Sequence, residues 1–389
     1  MDQNKSQFSA STAFFIDLIG IVVIFTLLKE LSEIFIPLII AYFLFFLFTP
    51  LNDFLSKKKI PETLLIVIDL LLIILVFGGI SSVIIDSFTR LSAELPNYER
   101  KLNYIVSNTA REWHIKDPAF LNFKIAEVLK GVDYGLLAGN IFTSTFSFFG
   151  TLLFVLFFFI FVFTGHKNIY EAIRKWYLKS HIHPDAQQIH KEEKTTESKA
   201  EGENIHIEET IHKKHFFIGQ TKKEKEIMLQ DTFQEITDQI KNYVVAKFFI
   251  SLAVGIATGI VLLIFKVDFV IVWSVLTFLF NFIPNIGSLI AVILPTVIAM
   301  IQFGSIGLAL LIAAILVIMH NIFGNIIEPR VFGHRLGLNP LVILLSLLLW
   351  GYIWGIIGAI LSVPLTAILK IIISRSDSPN LQFISDLMS

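Results

Sequence analysis

Long apolar tracts dominate this sequence and restrict what it can fold into. A helix that crosses a ~30 Å hydrocarbon layer needs about 20 predominantly apolar residues. In the first half, Phe14–Leu28, Ile34–Leu51, Leu64–Ile85 and Ile141–Thr164 meet or approach that length. In the second half, Tyr243–Phe265 and Ile306–Phe323 read as single spans. Two more tracts, Asp268–Ile301 and Leu338–Ile373, are too long for one crossing, and each is broken in its middle by Gly, Pro or both. The expected fold is all-α: a polytopic transmembrane helical bundle of about eight membrane segments. The two interrupted tracts are either broken, re-entrant hairpins or short spans joined by tight loops.

Composition supports a membrane chain and narrows its chemistry. Of the 389 residues, 54% are hydrophobic and 16% charged, against about 45–50% and roughly 25% in soluble domains. The net charge of -1 offers no electrostatic basis for binding nucleic acid or another polyanion. There is no Cys, which excludes disulfides, thiol nucleophiles and iron–sulfur clusters. No P-loop, dinucleotide fingerprint, H-E-x-x-H or G-x-S-x-G pattern occurs. An enzyme is therefore not expected, and neither is a self-contained ATP-driven pump. Gradient-driven transport or passive conduction remains, and no cofactor or metal centre is implied.

Charge in the loops sets an expected orientation. Lys57, Lys58 and Lys59 follow the second apolar tract, whereas the loop before it carries only Lys29. The positive-inside rule then puts both termini in the cytoplasm. Met1–Thr12 is polar, and no small-residue cleavage site follows the first apolar run, so that run reads as a retained helix. The chain divides into an N-terminal bundle (1–165) with an outer amphipathic segment (86–140), a cytoplasmic region (166–242), a C-terminal membrane region (243–375) and a cytoplasmic tail (376–389). In the outer segment Tyr98, Leu102 and Ile105 recur at helical spacing after Pro96, which predicts an amphipathic helix starting there. It would lie on the membrane surface or pack on other protein. Within the cytoplasmic region, 181–225 is rich in Lys, Glu, Thr and His, lacks the apolar residues for a core, and reads as disordered. Six of the ten His fall in it, at irregular spacings that suit a solvated insertion better than a metal site. Phe233, Ile236, Ile240 and Tyr243 then form one face of a helix leading into the next span.

The candidate functional residues are polar or helix-breaking positions inside apolar tracts. An ionisable residue at membrane depth is costly and normally faces a bundle interior or water. Asp69, in Ile66-Val67-Ile68-Asp69-Leu70-Leu71-Leu72, is a proton- or ion-exchange candidate or a helix–helix hydrogen-bonding group. Asp17 lies near a polar terminus and carries less weight. Asn281-Phe282-Ile283-Pro284-Asn285-Ile286-Gly287-Ser288 divides apolar runs too short to cross alone. Freed backbone at membrane depth is tolerated where it is buried in protein or lines a wet cavity. Discontinuous helices of this kind build sites in secondary transporters. Asn281, Pro284, Asn285 and Gly287 are accordingly transport-path candidates. A second Gly/Pro pattern, Trp354-Gly355-Ile356-Ile357-Gly358 followed by Pro364, echoes the first with a one-residue offset and adds Gly355, Gly358 and Pro364. Between the two, His320, Asn321, Asn325 and Glu328 cluster at a span end. They read as polar ligands and proton-exchange groups, or as an interfacial helix end with Glu328 paired to Arg330.

Taken together, these stretches resemble the autoinducer-2 exporter family from about Tyr243 to Ile373. The resemblance rests on Asn281–Gly287, on Asn325 with Glu328-Pro329-Arg330-Val331, and on Leu336-Gly337-Leu338-Asn339-Pro340-Leu341-Val342. Trp354–Gly358 and Val363-Pro364-Leu365 complete it. The N-terminal half is similar mainly in its hydropathy plan, and the His-rich insertion is unusual for the family. The resemblance implies a multi-pass protein of a bacterial-type inner membrane, in contact with lipid and assembled as a homo-oligomer, with a pentamer as the expected form. It implies export of a small polar solute similar to autoinducer-2. A Na⁺(Li⁺)/H⁺ antiporter using Asp69, His320 or Glu328 is the alternative, and a non-transporting scaffold or sensor is the third reading.

Overall fold

The computed structural model describes residues 10–124, 149–166, 168, 171–172, 204–332, 338–374 and 379–388. Every regular element among the described residues is helical. In chain order these are α1 (Ala10–Glu30), α2 (Ser32–Ser56), α3 (Glu62–Glu112) and α4 (Pro118–Leu121). α5 (Phe149–His166) follows. Then come α6 (Asn204–Ile264), α7 (Val270–Phe280), α8 (Ile286–Phe303) and α9 (Ile306–Ile322). A π-helical turn (Phe323–Ile327) joins α9 to α10 (Glu328–Phe332), and α11 (Pro340–Ser374) and α12 (Pro379–Leu387) close the chain. Seven helical stretches among the described residues are long and apolar enough to cross a membrane, and α7 is a shorter apolar helix. The protein is an all-α, polytopic membrane protein.

Local sequence explains several boundaries. Gly304 takes a left-handed conformation (φ +61°) and ends α8, the usual role of glycine just past a helix. Ser305 beside it caps α9, its hydroxyl accepting from the Leu308 N–H at 3.3 Å.

α3 departs from the expected separate amphipathic helix. It runs 51 residues from Glu62 to Glu112, with Pro96 in its interior rather than its first turn. Pro at that position forfeits one intrahelical bond. The C-terminal stretch packs on protein: Tyr98, Ile105 and Ala110 are buried. The Tyr98 hydroxyl donates to Asp268 Oδ2 at 2.7 Å, and Lys101 Nζ donates to the Gln302 carbonyl at 2.8 Å. Burial, and then Asp268, push the Tyr98 phenol well above its ordinary range.

α6 corrects a second expectation. Its backbone is helical from Asn204, so 204–225 of the expected disordered insertion belongs to a helix, whereas 181–203 lies outside the described residues. The stretch sets Ile205, Ile207, Ile211, Phe216, Phe217 and Ile218 among five Lys and three Glu, and Lys and Glu are good helix formers. In the expected tail, α12 docks beside the start of α11, where the Asn339 N–H bonds the Met388 carbonyl at 2.9 Å.

Apolar packing divides into four clusters. Ala41 and Ile73 join Phe159 and Val162, which ties α2, α3 and α5 together. Leu262, Val292, Ala299, Ile312 and Leu316 unite α6, α8 and α9. Phe46, Tyr243, Val244 and Val363 link α2, α6 and α11. Trp350, Ile353 and Trp354 pack on Phe25 and Leu28 of α1 and Phe35 of α2.

Candidate functional site: two helical hairpins and a polar ladder

The two interrupted tracts fold as two hairpins of one design. In the first, α7 and α8 are joined by residues 281–285, and Asn285 takes φ +59°. Gly287 follows in the first turn of α8, where a Cβ would lie 1.8 Å from the Phe280 carbonyl oxygen. Any side chain there would collide with the end of α7. Positive φ belongs to Asn285; Gly287 itself is helical, and close approach of backbone is what requires glycine.

In the second hairpin, α11 leaves helical geometry at Trp354 and Gly355, the latter at φ +61°. Trp350 Nε1 donates to Thr366 Oγ1 at 3.2 Å. In an unbroken helix those sixteen positions would be about 24 Å apart along the axis. Limbs 340–353 and 356–374 therefore run back along each other. At their crossing a Cβ on Gly358 would lie 1.9 Å from the Trp350 carbonyl oxygen. Pro295 and Pro364 sit buried in the two returning limbs. The sequence echo is thus a repeated construction: a positive-φ residue, then a glycine pressed on a carbonyl in the last turn of the incoming limb.

Each tip is held by a different helix. Asn281 Nδ2 donates to Ser251 Oγ of α6 at 3.0 Å. Trp354 Nε1 donates to the Leu28 carbonyl of α1 at 2.8 Å, and Trp350 meets Phe25 edge-on at 6.3 Å. Lys29 Nζ stands 4.0 Å over the Tyr352 ring. The Leu28 carbonyl is one of the last four of α1, which lack an intrahelical partner. Among the described residues no hydrogen bond or ring contact joins the two tips directly.

α6 organises the polar groups. Lys247 and Ser251, one turn apart, are both buried. Lys247 forms an ion pair with Glu328, and Ser251 accepts from Asn281. The structure therefore brings Asn281 and Glu328 to successive turns of one helix, and Glu328 pairs with Lys247 rather than with Arg330. Tyr243 lies one turn before Lys247 and stacks on Phe332 at 5.2 Å. Below Ser251 the contact tightens, since a Cβ on Gly255 or Gly259 would meet Ser274 at 2.8 or 2.5 Å. Small residues four apart let two membrane helices approach closely. Thr258 and Thr277 are fully buried on these packed helices.

The remaining candidates stand apart. Asn285 is exposed, as is Asn325 of the π-helical turn, whose Nδ2 donates to Asn321 Oδ1 at the end of α9 at 2.9 Å. His320 is buried one turn before it. Asp69 is fully buried in the N-terminal unit and accepts from Asn52 Nδ2 at 2.7 Å, a helix–helix hydrogen bond between α3 and α2. Side-chain placement of Asp17, and of His206, His212 and His215, lies outside the described residues, as do His181, His183 and His190.

Sequence reasoning missed Lys247 and the Ser251-x3-Gly255-x3-Gly259 seam. Both had a signal. Lys247 is a charge inside an apolar tract, the criterion that singled out Asp69, and the seam is a small-x3-small pattern.

A helical membrane bundle with paired, interrupted hairpins defines a polytopic membrane protein with the kind of broken helices that build sites in secondary transporters. The profile described as AI-2E family transporter matches residues 15–205 and 212–377. This chain belongs to that family. The match extends well beyond the C-terminal resemblance and takes in most of the N-terminal half, including 181–205 of the His-rich insertion. Over 143 residues the chain is 39% identical to "AI-2 transport protein TqsA" of Escherichia coli (strain K12), covering 37% of this chain and 41% of that one. Over 132 residues it is 38% identical to "Putative transport protein YhhT" of the same organism, covering 34% and 38%. These alignments span under half the length of either relative. A longer one, 29% identical over 357 residues, covers 91% of this chain and 85% of a "Putative transport protein" of Borreliella burgdorferi (strain ATCC 35210 / DSM 4680 / CIP 102532 / B31).

Proposed function

We propose that this transporter moves a small polar, uncharged solute outward across a bacterial-type inner membrane, with the Asn281–Ser288 hairpin tip and the α6 polar ladder beside the path. The observation carrying this reading is the charge balance. Glu328, the carboxylate of the ladder, is compensated by Lys247. The ladder's other hydrogen-bonding pair is an amide and a hydroxyl, Asn281 on Ser251. Amides and hydroxyls both donate and accept, which suits a hydroxyl-bearing ligand such as autoinducer-2. Cation/proton exchange would need a carboxylate free to titrate, and Glu328 is held by Lys247.

The experiment is flux in liposomes holding purified protein, tested against autoinducer-2, Na⁺ and Li⁺. Solute flux without cation-coupled proton movement supports the proposal. Na⁺- or Li⁺-coupled proton movement would replace it with antiport, and no flux of either kind would favour a scaffold. Native mass spectrometry from detergent tests the accompanying homo-oligomer, with a pentamer expected. Single Cys residues placed at Ser198 and at the exposed Asp386 test cytoplasmic placement by reaction with a membrane-impermeant thiol reagent only after cells are opened, because the chain has no Cys of its own.

A further inference from the structure

Asn52 and Asp69 face each other across the α2–α3 contact, and their hydrogen bonding is half complete. Asn52 Nδ2 donates to Asp69 Oδ2 at 2.7 Å. The second oxygen of each, Asn52 Oδ1 and Asp69 Oδ1, is buried without a donor. Asp69 is 0% and Asn52 9% exposed. Two buried acceptors side by side are an unfavourable arrangement, since each forfeits its hydration with no return.

Among the described residues no counter-charge pairs with Asp69. Leu65 and Ile73, one turn either side of Asp69, are both buried. Ile73 packs with Ala41 of α2 and with Phe159 and Val162 of α5. Asp53 on α2 and Glu62 on α3 are exposed, as is Lys57 just beyond α2. α5 contains no Lys, Arg, Asp or Glu, and its His166 packs on Phe45 and Phe46.

We propose that Asn52 and Asp69 form a buried proton site, in which Asp69 carries a proton on Oδ1 and donates it to Asn52 Oδ1. One proton then satisfies both orphaned oxygens. With the existing bond it closes a two-bond acid–amide ring in which every buried polar atom is paired. A metal cation fits less well, because two oxygens fall far short of the six or more that a hard cation takes. The pair is sealed in an apolar contact, so the proton is retained as a neutral clasp between α2 and α3 and is not exchanged during transport.

Isotope-edited infrared spectroscopy of the full-length protein tests this. With ¹³C-carboxyl aspartate, a protonated-carboxyl C=O band should shift on labelling and be missing from Asp69→Asn. Absence of such a band from the wild-type protein overturns the proposal without reference to any variant's folding. Asp69→Asn should also melt within a few degrees of wild type, because its amide can donate to Asn52 Oδ1 as the acid does. Asp69→Leu should melt distinctly lower; equal losses in the two variants would overturn the ring. The flux arm rests on the transport reading above, whereas the spectroscopic arm does not. Asp69→Asn should retain at least half of wild-type solute flux, and loss of flux with the fold intact would show that the proton is exchanged.

Discussion

Gly287→Ala is the sharpest test of the first hairpin. The added Cβ would lie 1.8 Å from the Phe280 carbonyl oxygen and 2.6 Å from its carbon. Non-bonded heavy atoms prefer separations of about 3.5 Å, so the two limbs must part by more than about 1 Å. The obstacle is backbone at a helix end, so no side-chain rotation relieves it. Overpacking of this kind costs about 1–3 kcal/mol, and a clash with main chain belongs at the upper end. Helix propensity would return only about 0.5–1 kcal/mol of that. The comparator is Gly307→Ala in α9, where a Cβ meets nothing within 4 Å. Thermal melting in detergent, together with liposome flux, should show Gly287→Ala several degrees less stable and strongly impaired, with Gly307→Ala at or above wild type. Equal stability and flux in the two variants would mean that α7 and α8 do not meet at Gly287, and the hairpin would be wrong.

Other expectations follow from single contacts. Gly358→Ala should reproduce the defect, since its Cβ would lie 1.9 Å from the Trp350 carbonyl oxygen; full flux would argue against a common design. Glu328→Gln leaves Lys247 buried without its counter-charge and should destabilise by about 3 kcal/mol, the low end of the scale for a broken buried pair because the Glu328 side chain is 23% exposed. Lys247→Met/Glu328→Gln should recover most of that loss in the same melt. Trp354→Phe keeps the ring but deprives the Leu28 carbonyl of its donor, and should cost about 1–3 kcal/mol with no change in expression. Tyr98 has its proton affinity raised in the folded state, so its contribution is complete below the ordinary phenol value of 10.0 and is lost as pH climbs above it. Melting temperature should therefore fall above about pH 10 and fall less in Tyr98→Phe.

Membrane character and most helices were legible because apolar run length reports directly on a fixed hydrocarbon thickness. The hairpin positions were legible too, since Pro284, Gly287, Gly355 and Gly358 interrupt runs that needed interruption. Their mechanism was not. Nothing in the sequence says that Asn285 takes the positive φ while Gly287 makes room for a carbonyl; that depends on how closely two limbs pack. Glu328 was visible as a charge, but its partner is 81 positions away on α6. Local spacing offered Arg330 instead. Pro96 misled for a related reason: a proline that starts one helix can also sit inside a longer one.

The length of α3 has a mechanical consequence. The stretch Glu62–Ser87 is apolar enough to cross a membrane, and the helix runs on without a break to Glu112. At 1.5 Å per residue those last 25 or so positions reach about 38 Å beyond the span. The overhang is pinned through Tyr98 to Asp268 and through Lys101 to the Gln302 carbonyl, at the base of the first hairpin. Gln302 closes that base as well, accepting from the Asp268 N–H at 2.7 Å and donating to the Lys266 carbonyl at 2.9 Å. A continuous helix that leaves the span and is pinned at Tyr98 and Lys101, about 17–21 Å beyond it, acts as a lever. A tilt of the span by a few degrees becomes a displacement of about an ångström at those two residues, so the N-terminal unit has a mechanical handle on α7 and α8 without touching their tip.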